Sequence, residues 1–323
     1  MSYFNIKGRP RIRQGFTLIE LLVVIVIIGI LASLIMVGAR AARITVRQGL
    51  IKTEIAGIDA ALETYRRDHG EYPPDFSDEA AVMRHVRKRW PNYNPGTFAT
   101  FCADIKTGSK FKDSDGKWYA WDFTNARGAH MAALAFWLGG MPEPSTGMLG
   151  GFSADVSAPM DVSGPQRETP IMELTLGGNY QYYIIEENAG TEANPHLVLP
   201  AIVSYELPIV YFKASTAGNY LKSDDKPKHF HIHGNVLLDE LGCAAPYAKS
   251  GTTAIDAVWH NPKNFQLIHP GMDKMFSAPH GTDHGHDHYH AIDPSKDFRH
   301  DCTLEDNDNQ ANFGGNTIET SGN

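Results

Sequence analysis

The hydrophobic pattern begins with a run from Phe16 to Val37 that contains a single carboxylate, Glu20. A helix of about 20 apolar residues matches the roughly 30 Å hydrocarbon core of a bilayer, so the run predicts a membrane span. From Arg40 to His69 the pattern changes. Ile44, Ile51, Ile55, Ile58, Leu62 and Tyr65 recur at helical spacing and form one stripe on one face. No proline lies between Pro10 and Pro73. The two segments therefore predict one helix over about 16–68, roughly 80 Å long at 1.5 Å per residue. Its first part is apolar all round, and its second part carries a folded domain on the stripe. Gly70, Pro73 and Pro74 end it.

Beyond the helix the elements are shorter. Residues 77–90 predict a helix capped by Ser77, Asp113–Gly116 a turn, Lys117–Phe123 a strand, and Gly128–Leu138 a second helix ended by Gly139 and Gly140. Residues 141–170 are rich in Pro, Gly and Ser and read as a surface loop or linker. From 171 the pattern turns to β. Ile171–Leu176, Asn179–Ile185, Leu207–Phe212 and Asn264–His269 are β-branched and aromatic runs between turns. The expected fold class is α+β: a long N-terminal helix and a C-terminal globular domain of short helices with a small antiparallel sheet packed on the helix.

Composition narrows the function. The 323 residues are 42% apolar and 20% charged, enough to fold a domain. A net charge of −8 and a pI near 6.0 argue against nucleic acid as the main partner, although the first fifty residues are basic. Three cysteines, Cys102, Cys243 and Cys302, are too few for a disulfide framework. One pair with one thiol left over is consistent with the spacing, which does not choose the pair. There is no Gly-x-Ser-x-Gly, phosphate-binding loop or dinucleotide fingerprint. No enzyme activity is expected.

A charge at the centre of a membrane helix costs on the order of 2.5–3.5 kcal/mol, and less near its end, so Glu20 is a candidate functional residue. Ahead of it stand Lys7, Arg9, Arg11 and Arg13, then Gly15-Phe16-Thr17-Leu18-Ile19-Glu20. This order resembles the class III signal of type IV pilins and type II secretion pseudopilins, and the chain is most similar to the major pseudopilin of type II secretion. The resemblance implies that prepilin peptidase cuts between Gly15 and Phe16 and methylates the new amine. It implies a cytoplasmic leader over 1–15, a transmembrane and filament-core helix over 16–38, and an amphipathic stem over 39–70. A periplasmic domain then fills 71–323, with an insertion at 77–170 and a His/Asp-rich C-terminal loop. The freed Phe16 amine of an adjacent subunit would pair with Glu20 during assembly.

The implied localisation is the inner membrane in a single pass, then a periplasmic filament that helps export proteins. The implied partners are copies of the chain, minor pseudopilins, and an inner-membrane assembly platform with its ATPase. Arg40, Arg43, Arg47 and Lys52 balance the basic leader, so orientation rests on the resemblance and not on charge. The resemblance is strong over 14–73, patchy over 200–313, and absent over much of 77–170. Two other readings stay open. One is a type IV pilin for adhesion, motility or DNA uptake, which alone admits nucleic acid. The other is a membrane-tethered metal-binding domain on a pilin-like stem.

Two clusters bear on metals. Asp273, Asp306 and Asp308 fall where the resemblance implies calcium ligands, and hard carboxylate oxygens suit that ion. Around Asp306 neither the glycine nor the glutamate of an EF-hand loop is present. His284, His286, His288 and His290 alternate, which puts them on one face of an extended segment, and neutral imidazoles suit a transition metal. His229, His231 and His233 form a second alternating set. A solvated acidic tail and a soluble low-complexity loop account for the same compositions.

Overall fold

The computed structural model describes residues 17–124, 129–221, 228, 241, 244, 246–250, 257–271, 274, 276 and 310–312. The chain divides into two units, Met1–Arg47 and Gln48–Asn323. In the first, the described residues enter helix α1 (Leu18–His69). Its apolar side chains stand exposed, from Leu18 at 83% to Met36 at 73%.

In the second unit, the rest of α1 supplies one wall of the core. Ile51, Ile55, Ile58, Leu62 and Tyr65 are buried at steps of 4, 3, 4 and 3, the spacing that keeps side chains on one face. Ile44 departs from the expected stripe and is exposed; burial starts at Ile51. Gly70 adopts φ +80° and its N–H donates to the Arg66 carbonyl at 2.7 Å, closing the last turn. Pro73 and Pro74 prevent continuation, and their carbonyls are capped by buried aromatics. The Tyr211 hydroxyl donates to Pro73 O at 2.7 Å, and Trp137 Nε1 donates to Pro74 O at 2.9 Å.

Helix α2 (Glu79–Arg89) is capped one residue later than expected. Asp78, not Ser77, accepts the free N–H groups of Ala80 and Ala81, at 2.9 and 3.2 Å. The Ser77 hydroxyl donates instead to Asp75. Helix α3 (Phe98–Gly108), capped by Thr97, buries Phe101, Cys102 and Ile105 and was not foreseen in the sequence. Helix α4 (Ala129–Leu134) continues into a fully buried π-helical turn, Ala135–Gly139. Phe76, at φ 60°, is held in this left-handed conformation by rings on several sides: Phe101, Phe123, Phe136 and Trp137 lie 5.0–6.4 Å from it.

Residues 141–170 are not a surface linker. Met141, Phe152 and Met160 are buried in the common core. The segment is tied by bridges between Gly140 and Gly151 and between Ser153 and Arg167. The Arg167 guanidinium donates to the carbonyls of Gly151 and Met141.

The larger sheet has the order β1 (Phe111–Lys112), β2 (Trp118–Trp121), β4 (His196–Ser204), β3 (Tyr180–Glu186), with β5 (Leu207–Pro208) also pairing with β4. The β2–β4 pair is parallel, so the sheet is mixed and not purely antiparallel. The smaller sheet is antiparallel among its described strands: β6 (Val210–Lys213) and β10 (Gln310–Ala311) flank β9 (Phe265–His269). A two-stranded ribbon joins β7 (Ala248–Ser250) and β8 (Val258–Trp259). The run Asn179–Ile185 became β3 and Asn264–His269 became β9, while Leu207–Phe212 divided into β5 and β6. Ile171–Leu176 formed only an isolated bridge, from Leu176 to Tyr180.

Candidate functional site

At the head of α1 the first site is local. The Thr17 N–H and hydroxyl donate to Glu20 Oε2 at 2.8 and 2.7 Å, and the Glu20 N–H donates back to the Thr17 hydroxyl at 3.3 Å. This reciprocal arrangement is a capping box, which satisfies N–H groups that an α-helix leaves free at its start. The partner expected for Glu20 was the Phe16 amine of an adjacent subunit; the structure adds a local one, Thr17. The Thr-x-x-Glu spacing carried the signal for the local one. Both bonds to the carboxylate use Oε2, so Oε1 takes no part in the box. Leu18–Met36 is long and apolar enough to cross a membrane, by length and composition.

The second constellation fastens the stem to helix α2. Arg89 donates to the Tyr65 hydroxyl oxygen at 2.8 Å, and that oxygen lies 2.7 Å from His85 Nε2. His85 Nδ1 lies 2.8 Å from Glu71 Oε1. Because Arg89 can only donate, the Tyr65 proton points to Nε2, and Nδ1 carries the imidazole proton toward Glu71. Burial pushes the His85 pKa down to about 4, against the pull of Glu71, so the ring is neutral at pH 7. Burial likewise raises the Tyr65 hydroxyl pKa, so it stays protonated. The Arg89 guanidinium packs over the rings of Trp90 and Phe152, each at 4.6 Å, and donates to Glu168 at 3.0 Å.

Asp75 forms a third centre. It is buried and accepts from Lys228 Nζ and the Lys213 N–H, each at 2.8 Å. Burial works to raise its pKa, but the Lys228 and His130 charges and the Ser77 hydroxyl hold it below the ordinary carboxylate range. The second and third centres satisfy charges inside the fold, the first caps an exposed helix start, and none of the three presents a nucleophile with a base to solvent.

Most residues singled out in the sequence lie outside the described residues: Gly15 and Phe16, Asp273, Asp306 and Asp308, the His229–His233 set, His284, His286, His288 and His290, and Cys243 and Cys302. Among the described residues no group of three His, Cys, Asp or Glu side chains has a metal-holding arrangement. Cys102 is a buried free thiol whose pKa burial pushes up to about 12. The C-terminal tail does return to the domain. Gln310 and Ala311 pair with His269 and Ile268. The Asn312 side chain accepts from the Leu267 N–H at 3.0 Å and donates to Asp59 of the stem at 3.1 Å.

A family model described as the prokaryotic N-terminal methylation motif matches residues 10–36. The type II secretion system core protein G of Vibrio cholerae is 35% identical over 91 residues, 28% of this chain and 62% of the relative. That of Pseudomonas aeruginosa is 45% identical over 89 residues, 26% of this chain and 56% of the relative. That of Aeromonas hydrophila is 40% identical over 141 residues and is covered over 99% of its length. The chain belongs to the core protein G family. The Aeromonas match takes in 36% of this chain, so most of the present sequence lies outside what the family member aligns with. No solved structure matches. The apolar helix segment Leu18–Met36 lies within the matched motif.

Proposed function

We propose that this core protein G homologue is the structural subunit of a type II secretion pseudopilus. The observation that carries the reading is an apolar helix, opened by the Thr17–Glu20 box, inside a matched N-terminal methylation motif. Prepilin peptidase cuts between Gly15 and Phe16 and methylates the Phe16 amine. The precursor waits in the inner membrane with residues 1–15 in the cytoplasm and the domain in the periplasm. It then enters a filament with copies of itself and minor pseudopilins, driven by an assembly platform and its ATPase. Glu20 takes the incoming Phe16 amine; because Oε1 is outside the capping box, the amine reaches it without opening the helix end. The chain itself performs no catalysis.

The test joins mass spectrometry to one substitution. The mature chain begins at a methylated Phe16, and Glu20→Leu is cleaved normally but sediments as monomer. An intact Met1 in the filament, or normal polymer from Glu20→Leu, refutes the reading.

A further inference from the structure

We propose that the exposed basic face of α2 is a docking surface for the acidic β3–β4 loop of a second copy of this chain. The inference rests on the filament reading above. Helix α2 turns Val82, Met83, His85 and Val86 into the core. Its opposite face carries Arg84, Arg87 and Lys88, all exposed, at positions i, i+3 and i+4 of one helical surface. Arg87 and Lys88 also suit the negative end of the helix dipole, but Arg84 lies a turn earlier, where that effect has faded. Arg84 and Arg87 make no ion pair among the described residues, and Lys88 stands 3.6 Å from Glu71, which is already bonded to His85. Lys213 feels Arg84 as a like charge. Lys88 and Lys213 thus draw on a Glu71 carboxylate already engaged by His85, and Arg84 and Arg87 stand beside them with no ion pair among the described residues, in a chain whose net charge is −8. Cations gathered this way repel one another, and an outside anionic surface relieves the repulsion.

The chain carries a matching anionic surface. Glu186, Glu187 and Glu192 are exposed at the end of β3 and in the loop before β4, and none makes an ion pair among the described residues. Lys110 reaches this loop but gives its ammonium to the Glu192 backbone carbonyl at 3.0 Å, not to a carboxylate. Three cations on one surface and three carboxylates on another form a head-to-tail contact, of the kind that propagates along a filament instead of closing a dimer. Contacts of this rim type act on register and association rate and are screened over about 8 Å at physiological salt.

The experiment uses the full-length chain in the membranes of secreting cells, with sedimentable polymer as the readout. Arg84→Glu/Arg87→Glu/Lys88→Glu and Glu186→Arg/Glu187→Arg/Glu192→Arg each lower polymer about tenfold, the equivalent of 1.4 kcal/mol per contact. A chain carrying both sets recovers to within about twofold of the original, because charge complementarity is restored. Mixed copies bearing Arg87→Cys and Glu187→Cys separately give a cross-linked dimer with a short bis-maleimide. The inference is overturned if each reversed set polymerises like the original chain, if the combined set is no better than either alone, or if no cross-link forms within Glu20-dependent polymer. Absence of any polymer from the original chain overturns the filament reading as well; normal polymer indifferent to these charges overturns this inference alone.

Discussion

Replacing Tyr65 by Phe removes one oxygen and leaves the ring, so it isolates the chain of bonds that ties the stem to α2. In the native protein that oxygen accepts from Arg89 at 2.8 Å and donates to His85 Nε2. The lost bond to a charged partner is worth about 1.5–3 kcal/mol and the neutral one about 0.5–1.5 kcal/mol. Arg89 keeps Glu168 and its aromatic faces, which limits the cost, whereas His85 Nε2 is left without a partner in a side chain that is 3% exposed. The expected destabilisation is about 3 kcal/mol. Urea unfolding of the full chain in detergent, followed by tryptophan fluorescence, measures it directly, since Trp137 stands 6.2 Å from the Tyr65 ring. The midpoint should fall with the slope unchanged. A second variant, His85→Gln, should be non-additive with Tyr65→Phe by about 1 kcal/mol, because both cut the same chain of bonds. A loss below about 1 kcal/mol for Tyr65→Phe, or full additivity, would falsify the relay as a structural tie.

Acid should loosen the same joint. Burial pushes the pKa values of His85 and His69 down to about 4, below their unfolded values, so the unfolded chain takes up protons first. Their contribution is complete above about pH 6.5 and is lost as pH falls toward 4, by up to about 3 kcal/mol for His85 and less for the half-exposed His69. Fluorescence-monitored melting from pH 7 to pH 4 checks the sign; a flat midpoint refutes it. Gly151→Ala should cost on the order of 3 kcal/mol, because Gly151 sits at φ +84° and a Cβ would stand 1.8 Å from the Glu168 carbonyl oxygen. A melting midpoint unchanged from the original chain would contradict that packing. If Asp273, Asp306 and Asp308 hold calcium, chelation lowers the melting midpoint and added calcium restores it; the tail reading fails if the midpoint does not move.

Local signals were legible in the sequence and distant ones were not. Ile51 to Tyr65 repeat at helical spacing, and Gly70 with two prolines ends the helix, so most of α1 could be read residue by residue. Strand β4 could not. Pro200 sits in its middle, and a proline argues against an inner strand. The fold accommodates it because the β2 pairing ends at Val198 and the β5 pairing begins at Val203. At Pro200 the ladder to β3 continues, while the side facing β2 has no donor to lose. The turn after β4 gave no signal either, since Tyr205 and Glu206 adopt φ 50° and 67° without Asn or Gly. Helix α3 had a readable cap in Thr97, but Phe101, Cys102 and Ile105 make too short a stripe to stand out from the surrounding polar residues. The Tyr65–His85–Arg89 tie was invisible because its members come from different elements, 20 and 24 positions apart. At the head of the chain, Thr17 and Glu20 lie within one helical turn, so that part of the site could be read locally.

The return of the tail to β9 has a consequence for incomplete chains. Strand β9, Phe-Gln-Leu-Ile-His, is fully buried, with β6 on one side and Gln310 and Ala311 of β10 on the other. A chain cut before residue 310 by a nuclease-damaged message or a protease would still own its stem, its helices and its larger sheet. It would also leave unpaired the edge of β9 at Ile268 and His269, which Gln310 and Ala311 otherwise cover. Such edges pair readily with other chains. Strand β10 therefore acts as a seal: only a chain that retains Gln310 and Ala311 covers this stretch of β9.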